Sequence, residues 1–195
     1  AAAPLIEVRG VSKGYGVGRD YHQVLHDIDF EVHAGQCVSL IGLSGTGKST
    51  LLSLLAGLSM PDRGTLRMKG EPIAGPSPSR AVIFQTYALL PWMTVEENVR
   101  LAVDATFPTW SANKKRDHVR EHLARVHLDH ALSRRPSELS GGMRQRVSIA
   151  RAMALEPEVL LMDEPFGALD ALTRATLQDE VGKLLGRGDR TVVLV

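Results

Sequence analysis

Between residues 37 and 58 the chain passes from an apolar run, Cys37-Val38-Ser39-Leu40-Ile41, through a glycine-rich stretch, Gly42 to Gly47, into Lys48 to Leu58, where leucines stand at 51, 52, 54, 55 and 58. The order predicts a buried strand, a tight turn and a helix. The turn and helix start read Gly42-Leu43-Ser44-Gly45-Thr46-Gly47-Lys48-Ser49-Thr50, which matches G-x-x-x-x-G-K-[ST] in the strand-to-helix context that the pattern requires. Glycines let the backbone wrap closely around a polyphosphate, and their N–H groups, with the helix N-terminus, point at the anion. Lys48 then supplies a point charge to the β- and γ-phosphates, and Ser49 offers a hydroxyl to Mg²⁺. A plain glycine-rich turn is the competing reading, and the strand and helix on either side disfavour it.

A second chemical feature lies far along the chain. Val159-Leu160-Leu161-Met162 reads as an apolar strand that ends in Asp163-Glu164. Asp163 is placed to bind Mg²⁺, and Glu164 to orient or deprotonate an attacking water. Alone this is a weak signal, because strands often end in acids. Other strands are predicted at Leu5–Val8, Val24–Val32, Ala81–Phe84 and Thr191–Val195, and helices at Glu96–Val103, Lys114–Val126, Gly141–Leu155 and Leu169–Leu185. Pro61 to Gly64 reads as a turn. Strands towards both ends, with a helical block between them, predict an α/β core carrying a helical insertion.

The run Leu139-Ser140-Gly141-Gly142-Met143-Arg144-Gln145 matches L-S-G-G-x-x-Q, with Ser140 and two glycines opening a helix as a second anion site. On this run, together with the glycine loop and the acidic strand, the sequence resembles ABC-type ATPases over its whole length and in the right order. The resemblance implies an ABC ATPase fold: an α/β P-loop NTPase core (1–89 and 157–195) with a small N-terminal antiparallel β region and a helical subdomain (90–156), all one domain. It implies ATP as substrate and Mg²⁺ as cofactor. Gly42, Ser44, Gly45, Thr46, Gly47, Lys48, Ser49 and Thr50 would hold the phosphates, and Ser49, Gln85 and Asp163 the metal. Lys48, Gln85 and Glu164 would serve the reaction, with Gln85 also sensing a membrane partner. Tyr15 resembles the aromatic that stacks on adenine, with Tyr21 nearby. Ser140, Gly141 and Gly142 would meet the γ-phosphate of ATP held by a second, head-to-tail ATPase subunit, and Asp170, in Gly167-Ala168-Leu169-Asp170, would bridge the two.

Gln85 to Trp92 (Gln-Thr-Tyr-Ala-Leu-Leu-Pro-Trp) looks like the ATPases of nitrate, sulfonate and taurine importers. Leu101 to Asp104 and Pro165 to Arg174 resemble the nitrate branch, with its bicarbonate and cyanate relatives. The expected partners are thus a second ATPase subunit, transmembrane permease subunits and, indirectly, a solute-binding protein, at the cytoplasmic face of the bacterial inner membrane. Trp92, in the apolar stretch Leu89 to Met93, is the aromatic most suggestive of a permease contact. The family also places a switch histidine after the strand at Thr191–Val195, whereas no histidine follows His130. On that reading the fold is C-terminally truncated here, and nucleotide binding survives better than hydrolysis.

Several features weigh against other classes. A net charge of +1 argues against strong binding to a phosphate backbone, so no nucleic-acid partner is expected. A soluble ATPase acting on nucleic acid or ribosomes, or a non-hydrolysing nucleotide-binding module, are the alternative functions. From Ser111 to Arg151 there are ten Lys or Arg against four Asp or Glu, a local excess that reads either as an anion-facing surface or as a solvated helical face. Cys37, the single cysteine, reads as a small buried hydrophobe. His118-Val119-Arg120-Glu121-His122 matches the zinc-peptidase pattern H-x-x-E-H, but the segment is strongly charged and reads as solvent-exposed helix.

Overall fold

The computed structural model describes residues 3–167, 169–185 and 190–195; Ala168, within the predicted Gly167 to Asp170 segment, lies outside them. The described elements are β1 (Ile6–Tyr15), β2 (His22–Val32), β3 (Cys37–Ser39), α1 (Lys48–Ala56), β4 (Arg63–Met68), β5 (Glu71–Pro72), β6 (Arg80–Ile83), α2 (Val95–Thr106), α3 (Ala112–Arg125), α4 (Gly141–Met153), β7 (Val159–Met162), α5 (Ala171–Leu185) and β8 (Thr191–Leu194). They form two four-stranded sheets. One has the order β2-β1-β4-β5 and is antiparallel, with Ile6 opposite both Val32 and Met68. The other has the order β3-β8-β7-β6 and is parallel throughout.

The inner strands of the parallel sheet, β8 and β7, are covered on both faces, which is why they are short continuous apolar runs. All four residues of β7 are buried. Leu160 and Met162, with Ala81, Ile83 and Val192 from neighbouring strands, join a core built with α2, α3 and α4. Val159, Leu161 and Val193 join a second core made with α1 and the antiparallel sheet. The two-residue alternation of a strand thus divides one run of four residues between two cores.

Local chemistry sets the helix boundaries. Thr94 caps α2 by accepting from Glu97 N, while the Glu97 carboxylate accepts from Thr94 N at 2.7 Å, a reciprocal box that satisfies two free amides. Ser111 and Ser140 cap α3 and α4 in the simpler way. The helix predicted to reach Leu58 stops at Ala56, because Gly57 turns left-handed and its N–H bonds back to Leu54 O. Two strands, β4 and β5, were not predicted. Four of the six residues of β4 are exposed and it follows a turn directly, so its pattern is too short and too polar to stand out.

Two sequence-based expectations fail on burial. Cys37 to Ile41 is not a buried strand: β3 ends the described parallel sheet, Cys37 is exposed and Ile41 is 95% exposed. An end strand has a neighbour on one side only, a fact its apolar composition does not reveal. The histidine segment is not wholly exposed either. His122 is only 4% exposed, and its ring lies 4.3 Å from that of His118, which meets Trp110 edge-on at 5.1 Å. His118 Nε2 donates to Ala154 O and His122 Nδ1 to His118 O, both at 2.9 Å, so one nitrogen of each ring is engaged with a carbonyl. Among the described residues no group of three or more His, Cys, Asp or Glu side chains is arranged to hold a metal ion. The pair serves packing between α3 and the end of α4. The local basic excess is partly internal too, since buried Lys115 pairs with Asp104 at 3.0 Å.

Burial is the largest cause pushing the His122 pKa below the ordinary histidine value; His118 and Arg125 add to it, while the bond to His118 O opposes it. The unfolded chain therefore takes up this proton at a higher pH than the folded one, and stability falls as pH descends through the window between them. Thermal unfolding followed by circular dichroism is expected to show a midpoint that drops from about pH 7.5 to about pH 5.5, around the ordinary histidine value. His122→Leu should flatten that slope; an equal slope in the variant would contradict the assignment.

Candidate functional site

The glycine loop leaves β3 and enters α1 through Gly47, whose φ of 91° is left-handed. A Cβ at this position would lie 2.8 Å from both Val24 Cγ1 and Leu25 Cδ2, so the loop backbone passes hard against β2. Lys48 Nζ donates to Gly42 O at 2.9 Å and Leu43 O at 2.8 Å, spanning the loop from below, and Thr46 Oγ1 donates to Leu43 O at 2.9 Å. A cavity of about 200 Å³ opens on Ser44, Gly45 and the stretch Gly47 to Thr50, and is closed by Val24 and Glu164. Loop amides, a helix N-terminus and an ammonium together form a cradle for anionic oxygens.

The parallel sheet delivers the acids to this cradle. β7 runs in register with β6 (Ile83 opposite Met162), so both strands end at the same level and the residues after them, Gln85 and Asp163-Glu164, emerge side by side. Ser49 Oγ donates to Asp163 Oδ1 at 2.8 Å, and Gln85 Nε2 donates to Glu164 Oε2 at 3.0 Å. Glu164 has a φ of 42°, a left-handed conformation that costs a non-glycine residue about 1–3 kcal/mol and is found clustered at functional sites. A hydroxyl and a carboxylate held this close, with the Gln85 amide beside the neighbouring acid, form a hard oxygen donor set that suits Mg²⁺.

The other predicted residues fall in two places. Tyr15 ends β1 opposite His22 of β2, and Val24, two residues further on, lines the cavity. Two residues of strand span about 7 Å, so Tyr15 ends β1 near that lining residue without itself lining the cavity. Tyr15 and Tyr21 are nearly equally exposed, at 49% and 50%, but Tyr21 lies over Gly14, where a Cβ would come within 2.4 Å of the phenol. Ser140, Gly141 and Gly142 do not line the cavity. Ser140 caps α4 by accepting from Met143 N at 3.2 Å, a Cβ on Gly141 would sit 3.4 Å from the Tyr87 hydroxyl, and one on Gly142 would sit 2.7 Å from Thr173 Cγ2. Asp170 caps α5 beside them by accepting from Thr173 N at 3.0 Å, and that bond is the largest cause holding its carboxyl below the usual range.

One pair of anchors is not evident from the local motifs. Arg151, on α4, donates to Ala88 O at 2.6 Å and Tyr87 O at 2.9 Å, and both of those residues have left-handed φ values, 48° and 61°. The segment after Gln85 is thereby tied to the helix that Ser140 opens. A lone cation in the apolar run Ile149 to Met153 was the available signal. A concavity of about 920 Å³ lies elsewhere, between α5 and the edge of the parallel sheet, and it touches the acids only through Glu164.

Residues 25–167 match the family described as ABC transporter. The chain belongs to the ABC transporter family. Among its relatives in that family, it is 49% identical over 193 residues to the nitrate transport protein NasD of Klebsiella oxytoca, covering 98% of this chain and 74% of that protein. It is 47% identical over 192 residues to the bicarbonate transport ATP-binding protein CmpD of Synechococcus elongatus, covering 98% of this chain and 69% of the relative. With the nitrate import ATP-binding protein NrtD of the same species it shares 44% over 185 residues, covering 95% and 68%. The fold matches that of the ATP-binding cassette MJ0796, whose dimeric structure in a post-hydrolysis state bound to ADP and Pi superposes with a TM-score of 0.87 at 30% identity, covering 97% of this chain and 87% of that one. The ABC ATPase architecture expected from the motifs is therefore the one observed.

Gly47 gives the sharpest local test. Gly47→Ala must place a methyl in a left-handed residue and against β2, so urea unfolding should show a loss of about 1–3 kcal/mol. Nucleotide binding should fall with it. An alanine variant as stable as the parent and binding ATP equally well would contradict the close approach.

Proposed function

We propose that this chain binds MgATP and, paired head to tail with a second ATPase subunit, hydrolyses it to drive a permease importing nitrate or a related small anion such as bicarbonate, cyanate, taurine or another sulfonate. The observation that carries the ATPase reading is the meeting of segments from 49 to 163 at one point: Ser49 on Asp163, and Gln85 on Glu164, at the mouth of the glycine cradle. The names of the relatives, nitrate and bicarbonate transporters among them, support the class of solute.

On this reading Lys48 leaves its loop carbonyls to meet the β- and γ-phosphates, while the amides of Gly42 to Thr50 hold the rest of the chain of phosphates. Ser49 and Asp163, with Gln85, are the residues that would hold Mg²⁺, which when bound neutralises charge on the β- and γ-phosphates. Tyr15 offers its ring to adenine. Glu164 accepts a hydrogen bond from the attacking water and orients or deprotonates it for in-line displacement, and Gln85, bonded to that carboxylate, steadies it. Such chemistry is mainly positioning and charge stabilisation. Ser140, Gly141 and Gly142 stand away from the cavity of their own chain. They fit the γ-phosphate held by the other subunit, with Asp170 at the junction. The dimeric structure of MJ0796 supports this arrangement.

The same reading divides the chain into a nucleotide-binding core (1–89 and 157–195) and a helical subdomain (90–156), with the permease contacting the junction. Trp92, 66% exposed beside partly buried Leu89, fits such a contact. No described helix is long and apolar enough to cross a membrane, which is compatible with peripheral attachment to permease subunits at the cytoplasmic face of the bacterial inner membrane.

Steady-state phosphate release from MgATP, measured at rising protein concentration, tests the proposal. Turnover per chain should climb with concentration as pairs form. Glu164→Gln should lower it by about 100-fold or more, the scale of a lost general base, while MgATP binding persists. Turnover that is independent of concentration, or unchanged in Glu164→Gln, would overturn the reading.

A further inference from the structure

The strand that carries Tyr15 stays paired with β2 to its end, but irregularly, and loses its pairing with β4 before it. The register of β1 with β2 shifts between Val11 and Lys13 and again between Lys13 and Gly14, and pairing with β4 stops at Ser12 opposite Arg63. Beyond that point a single residue of the α1–β4 turn takes over. Asp62 N donates to Ser12 O at 2.9 Å, Asp62 Oδ1 accepts from Lys13 Nζ at 2.8 Å, and Asp62 Oδ2 accepts from Gly14 N at 2.7 Å. Three successive residues before Tyr15 are thereby bound to one turn residue. The Lys13 side chain is only 15% exposed, and its ammonium stands 5.5 Å from the centroid of the Tyr15 ring. The bond from Lys13, then that from Gly14, holds the Asp62 carboxyl below the usual carboxylate range, as expected of a group whose ionised form is the one engaged.

We propose that Asp62 is a positioning residue for nucleotide-base recognition: it fixes the end of β1 and, through Lys13, occupies one face of Tyr15, leaving the opposite face for the adenine. The inference rests on the reading of Tyr15 as the stacking platform. The reason is preorganisation. A strand end with broken register would let the Tyr15 ring sample many orientations, and each would have to be surrendered on binding the base. A carboxylate that bonds one backbone amide and one ammonium restricts the backbone and the ring together, and an ammonium on one face of an aromatic ring is itself a favourable contact. Asp62 is 39% exposed, so solvent still screens the Lys13–Asp62 pair and its contribution to global stability is modest; its larger effect should appear in base recognition.

The test compares two ligands by titration calorimetry: MgATP, which has a base, and magnesium tripolyphosphate, which has none. Asp62→Ala is expected to weaken MgATP by about three- to tenfold, a part of the whole worth of a base–aromatic stack, and to leave tripolyphosphate affinity unchanged. Asp62→Asn keeps an acceptor for Gly14 N and should retain part of the selectivity for the base. In a Tyr15→Ala background, adding Asp62→Ala should cost nothing further, because coupled residues act through one contact. Equal loss for both ligands would overturn the proposal, and so would loss in Tyr15→Ala with none in Asp62→Ala, which leaves the stacking reading intact. No loss in Tyr15→Ala would overturn the stacking reading and the proposal with it.

Discussion

Everything at the site depends on the burial of one parallel sheet on both of its faces. β7 is its clearest strand: four residues, all buried, sent alternately to a helical core and to a core shared with the antiparallel sheet. Because neither face meets water, β7 cannot slide by one residue without moving its apolar side chains into the wrong core. That constraint fixes where the strand stops. Asp163 and Glu164 emerge at the same level as the segment after β6, and Ser49 and Gln85 are there to receive them. The polar chemistry is held in place by apolar packing that it does not itself supply.

The parts of this arrangement visible in the sequence were those that a physical requirement writes into local residue types. A loop whose backbone must turn left-handed and pass against β2 needs glycine at 47. Val159 to Met162 could be read as a strand because both its faces are covered, which leaves an unbroken apolar run. Ser140 could be read as a helix cap because a hydroxyl must serve the free amides of the first turn.

The parts that were hidden depend on what lies beside a residue in space. Cys37 to Ile41 has the composition of an inner strand yet ends the described sheet, and only the strand order reveals it. His122 sits in a charged stretch, but the α3 face that carries it turns inward, against His118 and the end of α4. Arg151 looked like one more surface cation of a basic region; its carbonyl partners, Tyr87 and Ala88, are more than 60 residues away. Asp62 read as a turn residue, and its role at the end of β1 appears only when the bulges of that strand are seen. Each of these is a long-range relation that periodicity and local motifs do not encode.

The glycine cradle and the Ser140 helix start both present free helix N-terminal amides, yet one chain keeps them apart. A second ATPase subunit placed head to tail would join them, which makes mixing of two defective variants of this chain the most direct test. Lys48→Ala removes the cradle's charge but leaves Ser140 intact; Ser140→Arg blocks the helix start but leaves the cradle intact. If each site is built from the cradle of one chain and the helix start of the other, a mixed pair contains one whole site. Phosphate release from MgATP should then be negligible for either variant alone and reappear on mixing, greatest near equal proportions. A mixture no more active than its components would contradict the two-chain site.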